Sequence, residues 1–163
     1  MDPYYSDDLV TIYHGDCRDI LPALTFDVVV TDPPYGVDYG TAGWSSTPDR
    51  VVPWDGGVPY EMLASFGDSP VVWFGAATKM REAFLEFDPP PDRLLVWAPR
   101  FTMSRAVTNG IAYRFHPIYT WRLPKQGKVV EDVLTDNTEG RNWWNHPATK
   151  PLRLMSRLVA LTE

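Results

Sequence analysis

The sequence predicts an α/β fold with a mostly parallel sheet and an antiparallel strand at its edge. Apolar runs at residues 26–31, 71–74 and 94–97 are short and rich in Val, Leu and aromatic residues, as is typical of buried strands. Segments with helical spacing separate these runs. Strands that alternate with helices form α/β sheets, which bind ligands at the carboxyl ends of their strands.

The other elements follow along the chain. Residues 10–14 predict a strand, and residues 117–123 predict the antiparallel edge strand. Helices are expected where apolar residues recur with helical spacing, which includes a final helix that begins with proline. They cover residues 16–24, a stretch beginning at 58, residues 75–87 and residues 151–161. Residues 36–57 and 124–142 lack such spacing and are expected to be long loops.

Length and composition favour one domain over residues 1–163, with a sizeable core. The single cysteine excludes an intrachain disulfide, and the three scattered histidines lack the spacing of a zinc helix, so no metal site is predicted. No apolar stretch approaches the length of a membrane span, and the first residues show no signal-peptide pattern. A cytoplasmic protein is therefore expected.

Charge is divided unevenly along the chain, although the net charge is −6. Residues 1–99 hold 5 Lys or Arg against 16 Asp or Glu, whereas residues 100–163 hold 10 against 5. A basic carboxyl-terminal part favours a nucleic-acid partner, because Lys and Arg pair with phosphates. A solvated face of mixed charge is the alternative, and it is the simpler interpretation for any single arginine.

The tetrapeptide Asp32-Pro33-Pro34-Tyr35 ends the predicted strand at residues 26–31. It combines a carboxylate, a backbone carbonyl, a stiff turn and an aromatic ring. Asp32 and the Pro33 carbonyl can accept the two N–H bonds of an exocyclic amino group, while Tyr35 stacks on the heterocycle. The alternative is a plain turn at the end of a strand, since Asp and Pro are common turn residues.

Three blocks, residues 9–17, 26–35 and 146–151, resemble the DNA amino-methyltransferases. Those enzymes methylate adenine N6 or cytosine N4 with S-adenosylmethionine (SAM), and the order of the blocks resembles the permuted β group. The resemblance implies a Rossmann-like methyltransferase sheet, SAM as cofactor, DNA as partner, and the catalytic residues Asp32, Pro33, Pro34 and Tyr35. Asp at the first position favours adenine, because cytosine N4 members more often carry Ser there. RNA and protein amide substrates remain open.

The resemblance also implies binding residues. The cofactor-binding set has Asp16 at the adenine of SAM and Lys150 at its carboxylate, and consists of Asp16, Cys17, Asp32, His146, Lys150 and Pro151. The two long loops are expected to contact the base and the DNA, through Tyr39, Trp44, Lys125, Lys128 and Arg141, and less specifically Trp54. The alternatives are a helix N-cap for Asp16, a surface lysine for Lys150, a turn or core histidine for His146, and ordinary loop residues for the DNA-contacting set.

One part of the family pattern is absent. In the family, the final helix leads to a strand and a Phe-x-Gly-x-Gly loop that holds SAM, whereas this sequence contains no Gly-x-Gly. An incomplete sheet, a partly encoded SAM pocket and an exposed strand edge beside Asp32 are therefore expected. Besides an adenine methyltransferase, two alternatives stay open. One is a truncated or remnant module that binds nucleic acid or a protein partner without catalysis. The other is half of a split enzyme, completed by a second chain or by a homodimer.

Overall fold

The computed structural model describes residues 2–37, 56–99, 107–108, 111–112, 114–137 and 149–163. The strands are β1 (Tyr5–Ser6), β2 (Thr11–Ile12), β3 (Val29–Thr31), β4 (Val71–Phe74), β5 (Arg93–Trp97), β6 (Val107–Thr108), β7 (Ile111–Ala112), β8 (His116–Trp121) and β9 (Val133–Leu134). The helices are α1 (Cys17–Ile20), α2 (Met80–Glu86) and α3 (Leu152–Ala160), with 3₁₀ turns at Leu21–Ala23, Tyr60–Phe66 and Ala77–Lys79. No helix within these ranges is long and apolar enough to cross a membrane.

Five strands form the main sheet in the order β3-β4-β8-β5-β9. β3 pairs with β4, and β5 pairs with β9, in parallel, while β8 runs antiparallel to both of its neighbours. Four of the five strands therefore point the same way, which confirms the mostly parallel α/β sheet.

The antiparallel strand lies at the centre of the sheet, so its predicted position at the edge is wrong. Residues 117–121 of β8 are all buried, and a strand covered on both faces is best stabilised by a neighbour on each side. Pro117, which has no N–H to donate, stands near the start of the strand, and its carbonyl accepts from the Gly75 amide at 2.9 Å. The proline is therefore accommodated at the end of a central strand.

The strand predicted at residues 10–14 also lies outside the main sheet. Only β2 forms there, and it pairs antiparallel with β1 as a separate hairpin. Asp7 holds the turn, because its carboxylate accepts from the backbone amides of Leu9 and Val10 at 2.8 and 2.7 Å. Such local bonds favour a hairpin over long-range pairing, and the side chains of both strands stay exposed.

Two hydrophobic clusters cover the two faces of the sheet. Val71 and Trp73 of β4 pack in one cluster with residues of α2 and the 3₁₀ turn Tyr60–Phe66. Val72 and Phe74 pack in the other against α3. Because successive strand residues point to opposite faces, the sheet lies between two helical layers.

Most predicted helices are present. α1 and α2 are each continuous with a 3₁₀ turn, while the segment from residue 58 forms a 3₁₀ helix at Tyr60–Phe66. α3 begins after Pro151 as predicted, and Asp136 anchors it to the segment after β9. The Asp136 carboxylate, only 6% exposed, binds Arg157 at 2.9 Å and Arg153 at 3.3 Å. These two ion pairs hold α3, and with it the residues that lead into the helix.

Candidate functional site

The Asp32-Pro33-Pro34-Tyr35 motif lies at the carboxyl end of β3, beside the carboxyl end of β4. The chain turns directly after it at Gly36, which has a φ of +63°. A Cβ atom on Gly36 would lie 3.3 Å from the Cα atom of Gly57. Both the left-handed backbone and the close approach of a second segment require glycine here. The turn leaves the Asp32 side chain 37% exposed at the edge of the sheet.

Two side chains hold the Asp32 carboxylate. The Tyr35 hydroxyl donates to Oδ1, and the Lys150 ammonium donates to Oδ2 in an ion pair. Lys150 is only 9% exposed, and its Nζ lies 5.1 Å from the centre of the Phe74 ring and 5.8 Å from that of Tyr35. An ammonium at these distances is attracted to the ring faces. We call these four residues, Asp32, Tyr35, Phe74 and Lys150, the Asp32 cluster.

The structure therefore brings together three predicted site residues from distant parts of the chain. Tyr35 was expected to stack on the base through its ring, which stays a prediction, and its hydroxyl donates to Asp32. Lys150 was expected at the carboxylate of SAM, which stays a prediction, and its ammonium donates to Asp32. Its burial excludes an ordinary surface lysine, because a lysine is seldom this buried without a partner.

Sequence reasoning assigned no role to His116, which lies near this cluster. His116 opens β8 opposite Trp97, the last residue of β5, and the two rings stack with centroids 4.8 Å apart and planes at 28°. Burial lowers the pKa of His116 to about 4, with a further contribution from the positive charge of Lys150 against the opposing effect of Asp32. The imidazole is therefore neutral at pH 7. The signal that could have located it is the antiparallel direction of β8, which brings the first residue of that strand to the edge where parallel strands end.

Asp16 acts as the N-cap of α1, in line with the structural alternative. Its carboxylate accepts from the backbone amide of Arg18 at 2.9 Å, and the Arg18 guanidinium binds both carboxylate oxygens. Hydrogen bonds from Arg18 lower the pKa of Asp16 to about 2. Cys17 is exposed, and its Sγ lies 3.7 Å from the Met62 sulfur. Contact of Asp16 and Cys17 with a cofactor stays a prediction.

A narrow aromatic pocket lies beside Tyr35. The volume that the centre of a water molecule can occupy in this pocket is about 10 Å³. This is room for about one water. The Tyr119 hydroxyl is buried there without a hydrogen-bond partner among the described residues, and burial raises its pKa to about 12. The pocket is lined by Tyr35, Val58, Tyr60, Trp73, Phe74, Gly75, Ala76, Lys79, Phe87 and Tyr119.

The remaining predicted residues divide into two groups. Lys125 and Lys128 are exposed between β8 and β9, and Pro151 is buried at the start of α3. The others lie outside the described residues, namely Tyr39, Trp44, Trp54, Arg141 and His146.

Two solved structures share the overall fold of this chain. The crystal structure of the M1.HpyAVI–SAM complex matches with a TM-score of 0.57 and 16% identity, over 92% of this chain and 76% of that one. The crystal structure of M1.HpyAVI matches with a TM-score of 0.53 and 15% identity, over 93% of this chain and 74% of that one. This likeness confirms the Rossmann-like α/β fold. Neither a family model nor a curated protein sequence matches the chain.

Proposed function

We propose that this chain is a DNA methyltransferase that transfers a methyl group from SAM to the N6 amino group of adenine. The observation that carries the proposal is the Asp32 cluster, placed at the carboxyl end of β3 on a methyltransferase fold. A carboxylate, a peptide carbonyl and a tyrosine ring stand together where α/β sheets bind their ligands.

In this proposal the motif activates a poor nucleophile. The lone pair of an aromatic amino group is delocalised into the ring, which weakens its attack on a methyl group. Asp32 and the Pro33 carbonyl accept the two N–H bonds and favour the pyramidal nitrogen, whose lone pair is free to react. The benefit comes from alignment and fixed charge, and the amino group need not lose a proton before it attacks. The Tyr35 ring stacks on the base with a gain of roughly 1–3 kcal/mol, which offsets part of the cost of flipping it.

The described residues fit one end of SAM better than the other. At the methionine end, the Lys150 ammonium suits a carboxylate, while the Asp32 carboxylate and the Phe74 ring suit a cationic group. At the adenosine end, Asp16 is the candidate partner, although Arg18 already binds its carboxylate. When bound, SAM supplies the electrophilic methyl group. The residues of the chain bind it, orient it and accept the hydrogen bonds of the base.

DNA contact is assigned to the basic carboxyl-terminal part. Lys125 and Lys128 are exposed between β8 and β9 and are available for phosphates. Their joint replacement by Met should weaken DNA binding and reduce its dependence on salt, because fewer counterions are released. An affinity that is insensitive to salt, or unchanged in the double variant, would exclude this surface.

The test of the reaction is methyl transfer from labelled SAM to adenine-containing DNA, with the methylated base identified by mass spectrometry. Asp32→Asn should lower the rate by roughly 10²–10³-fold, as expected when one preorganised group is removed. Asp27→Asn is the matched control, since Asp27 is an exposed acid just before β3. Equal rates for the parent and Asp32→Asn would refute the assignment, and methylcytosine as product would refute the adenine preference.

One observation favours a second candidate function, half of a split enzyme. β3 ends the described sheet at the side of the catalytic motif, and its residues are only partly buried. A free strand edge at that place suits an added strand from a second chain. Calorimetry separates the two functions, because a half-enzyme should bind SAM weakly alone. Micromolar binding by the monomeric chain would exclude the half-enzyme.

A further inference from the structure

Both oxygens of the catalytic carboxylate are already bound to donors from the chain itself. Tyr35 occupies Oδ1 and Lys150 occupies Oδ2. An exocyclic amino group needs at least one of these oxygens as its acceptor. Each oxygen can accept a further hydrogen bond, so the Lys150 ammonium competes with the amino group of the base for Oδ2 rather than excluding it.

Tyr35 and Lys150 differ in how easily each can leave the Asp32 carboxylate. Tyr35 follows Asp32 by three residues and belongs to the same rigid turn. Lys150 comes from the segment before α3, and its ammonium is a point charge at the end of a flexible four-carbon side chain. A second carboxylate placed close by would compete with Asp32 for that charge. SAM carries such a carboxylate at its methionine end.

We propose that Lys150 exchanges partners when the methyl donor binds. Its ammonium moves from Asp32 Oδ2 to the carboxylate of the donor, and this leaves Oδ2 to the amino group of the base. Lys150 thereby favours capture of the base after the donor has bound. The inference rests on the proposed function in one respect, namely that the donor is SAM.

The surroundings of Lys150 support a short movement rather than a departure from the site. The side chain is 9% exposed, and the faces of Phe74 and Tyr35 flank the ammonium at 5.1 and 5.8 Å. Both ring faces attract the cation. Asp32 is 37% exposed even with Lys150 bound to it, so water or the incoming amino group can reach it. The exchange therefore leaves no buried charge without a partner.

The test is calorimetric binding of S-adenosylhomocysteine, which keeps the carboxylate of SAM but lacks the sulfonium charge that Asp32 would attract. Asp32→Asn should bind it about three- to tenfold more tightly than the parent, because the competing partner of Lys150 is removed. Methylthioadenosine, which has no amino-acid part, should bind both proteins equally. Asp27→Asn controls for the loss of one negative charge near β3.

The second arm is the same comparison in a Lys150→Met background. There the effect of Asp32→Asn should vanish, because no ammonium is left to compete for. Tightening that persists without Lys150 would show simple repulsion between Asp32 and the ligand, and would overturn the exchange. Unchanged or weaker binding in Asp32→Asn, or no binding to either protein, would also overturn it. Methyl transfer by the parent is measured separately, so failure of the proposed function is seen independently of these results.

Discussion

Acidification should destabilise the fold through His116. The pKa of this imidazole falls from 6.5 to about 4 because burial beside Trp97, together with Lys150, disfavours the charged form. The unfolded chain regains the ordinary value, so between these two values it binds a proton that the folded chain does not bind. The contribution of neutral His116 to stability is complete above pH 6.5 and is lost as the pH falls toward about 4.

The size of the effect follows from the two pKa values. The full difference between 6.5 and about 4 corresponds to roughly 3 kcal/mol in the free energy of unfolding. Between about pH 7.5 and about pH 5, the folded form should lose roughly 2 kcal/mol, because most of the unfolded population is protonated at the lower value. Such a loss is a large part of the stability of an ordinary domain.

Urea denaturation at these two pH values measures the effect directly. The parent should lose roughly 2 kcal/mol more than His116→Gln on acidification, because only the parent carries the buried imidazole. His14→Gln, which removes an exposed histidine near the amino-terminal hairpin, should behave like the parent. Identical pH dependence in the parent and His116→Gln would refute the reasoning.

Two packing predictions accompany this one. Leu158→Ala should cost roughly 2–5 kcal/mol in denaturation, because Leu158 is fully buried between α3 and the sheet, while Val159→Ala on the exposed face should cost far less. A similar cost for both would mean that α3 does not pack as described. Gly75→Ala should cost roughly 1–3 kcal/mol, because the new Cβ would lie 2.6 Å from the buried Tyr119 ring. Gly127→Ala is the matched control, with nothing within 4 Å of its Cβ, and equal stability of the two glycine variants would contradict the clash.

Local sequence was sufficient for elements with strong apolar patterns. Val71–Phe74 lies entirely within the core, and its apolar run predicted a buried strand directly. α3 was predicted from Pro151 and from the spacing of Leu154, Leu158 and Leu161, which are the residues that pack on the sheet. In these places local propensity and tertiary burial favour the same structure.

Strand placement was harder to predict, because it depends on partners elsewhere in the chain. Residues 10–14 are apolar enough for a core strand, but Asp7 closes a hairpin that removes them from the main sheet. The residues of β8 predicted antiparallel pairing correctly, yet the edge position was inferred without knowing which strands would flank it. Register and neighbours are set by long-range packing that a local pattern does not contain.

The candidate site likewise has one part that local sequence predicts and another that depends on the folded chain. The motif at Asp32 predicted a candidate site from local sequence alone, because the relevant groups lie within four consecutive residues. The pairing of Asp32 with Lys150 joins residues 118 positions apart, and only the folded sheet and α3 bring them together. His116 gave no signal of its own, since a lone histidine at the start of a strand has many structural explanations.

The central position of β8 explains why the site is polar at one end and apolar at the other. Adjacent strands present Asp32, Phe74, His116 and Trp97 along one edge, in the order β3, β4, β8 and β5. Asp32 stands at the open end, whereas Trp97 is buried at the other and donates its indole N–H to the Asp136 carbonyl at 2.7 Å. The Lys150 ammonium lies 5.1 Å from the centre of the Phe74 ring, pairs with Asp32, and helps to lower the pKa of His116 through its positive charge. Its ion pair with the Asp32 carboxylate is the position from which the proposed exchange begins.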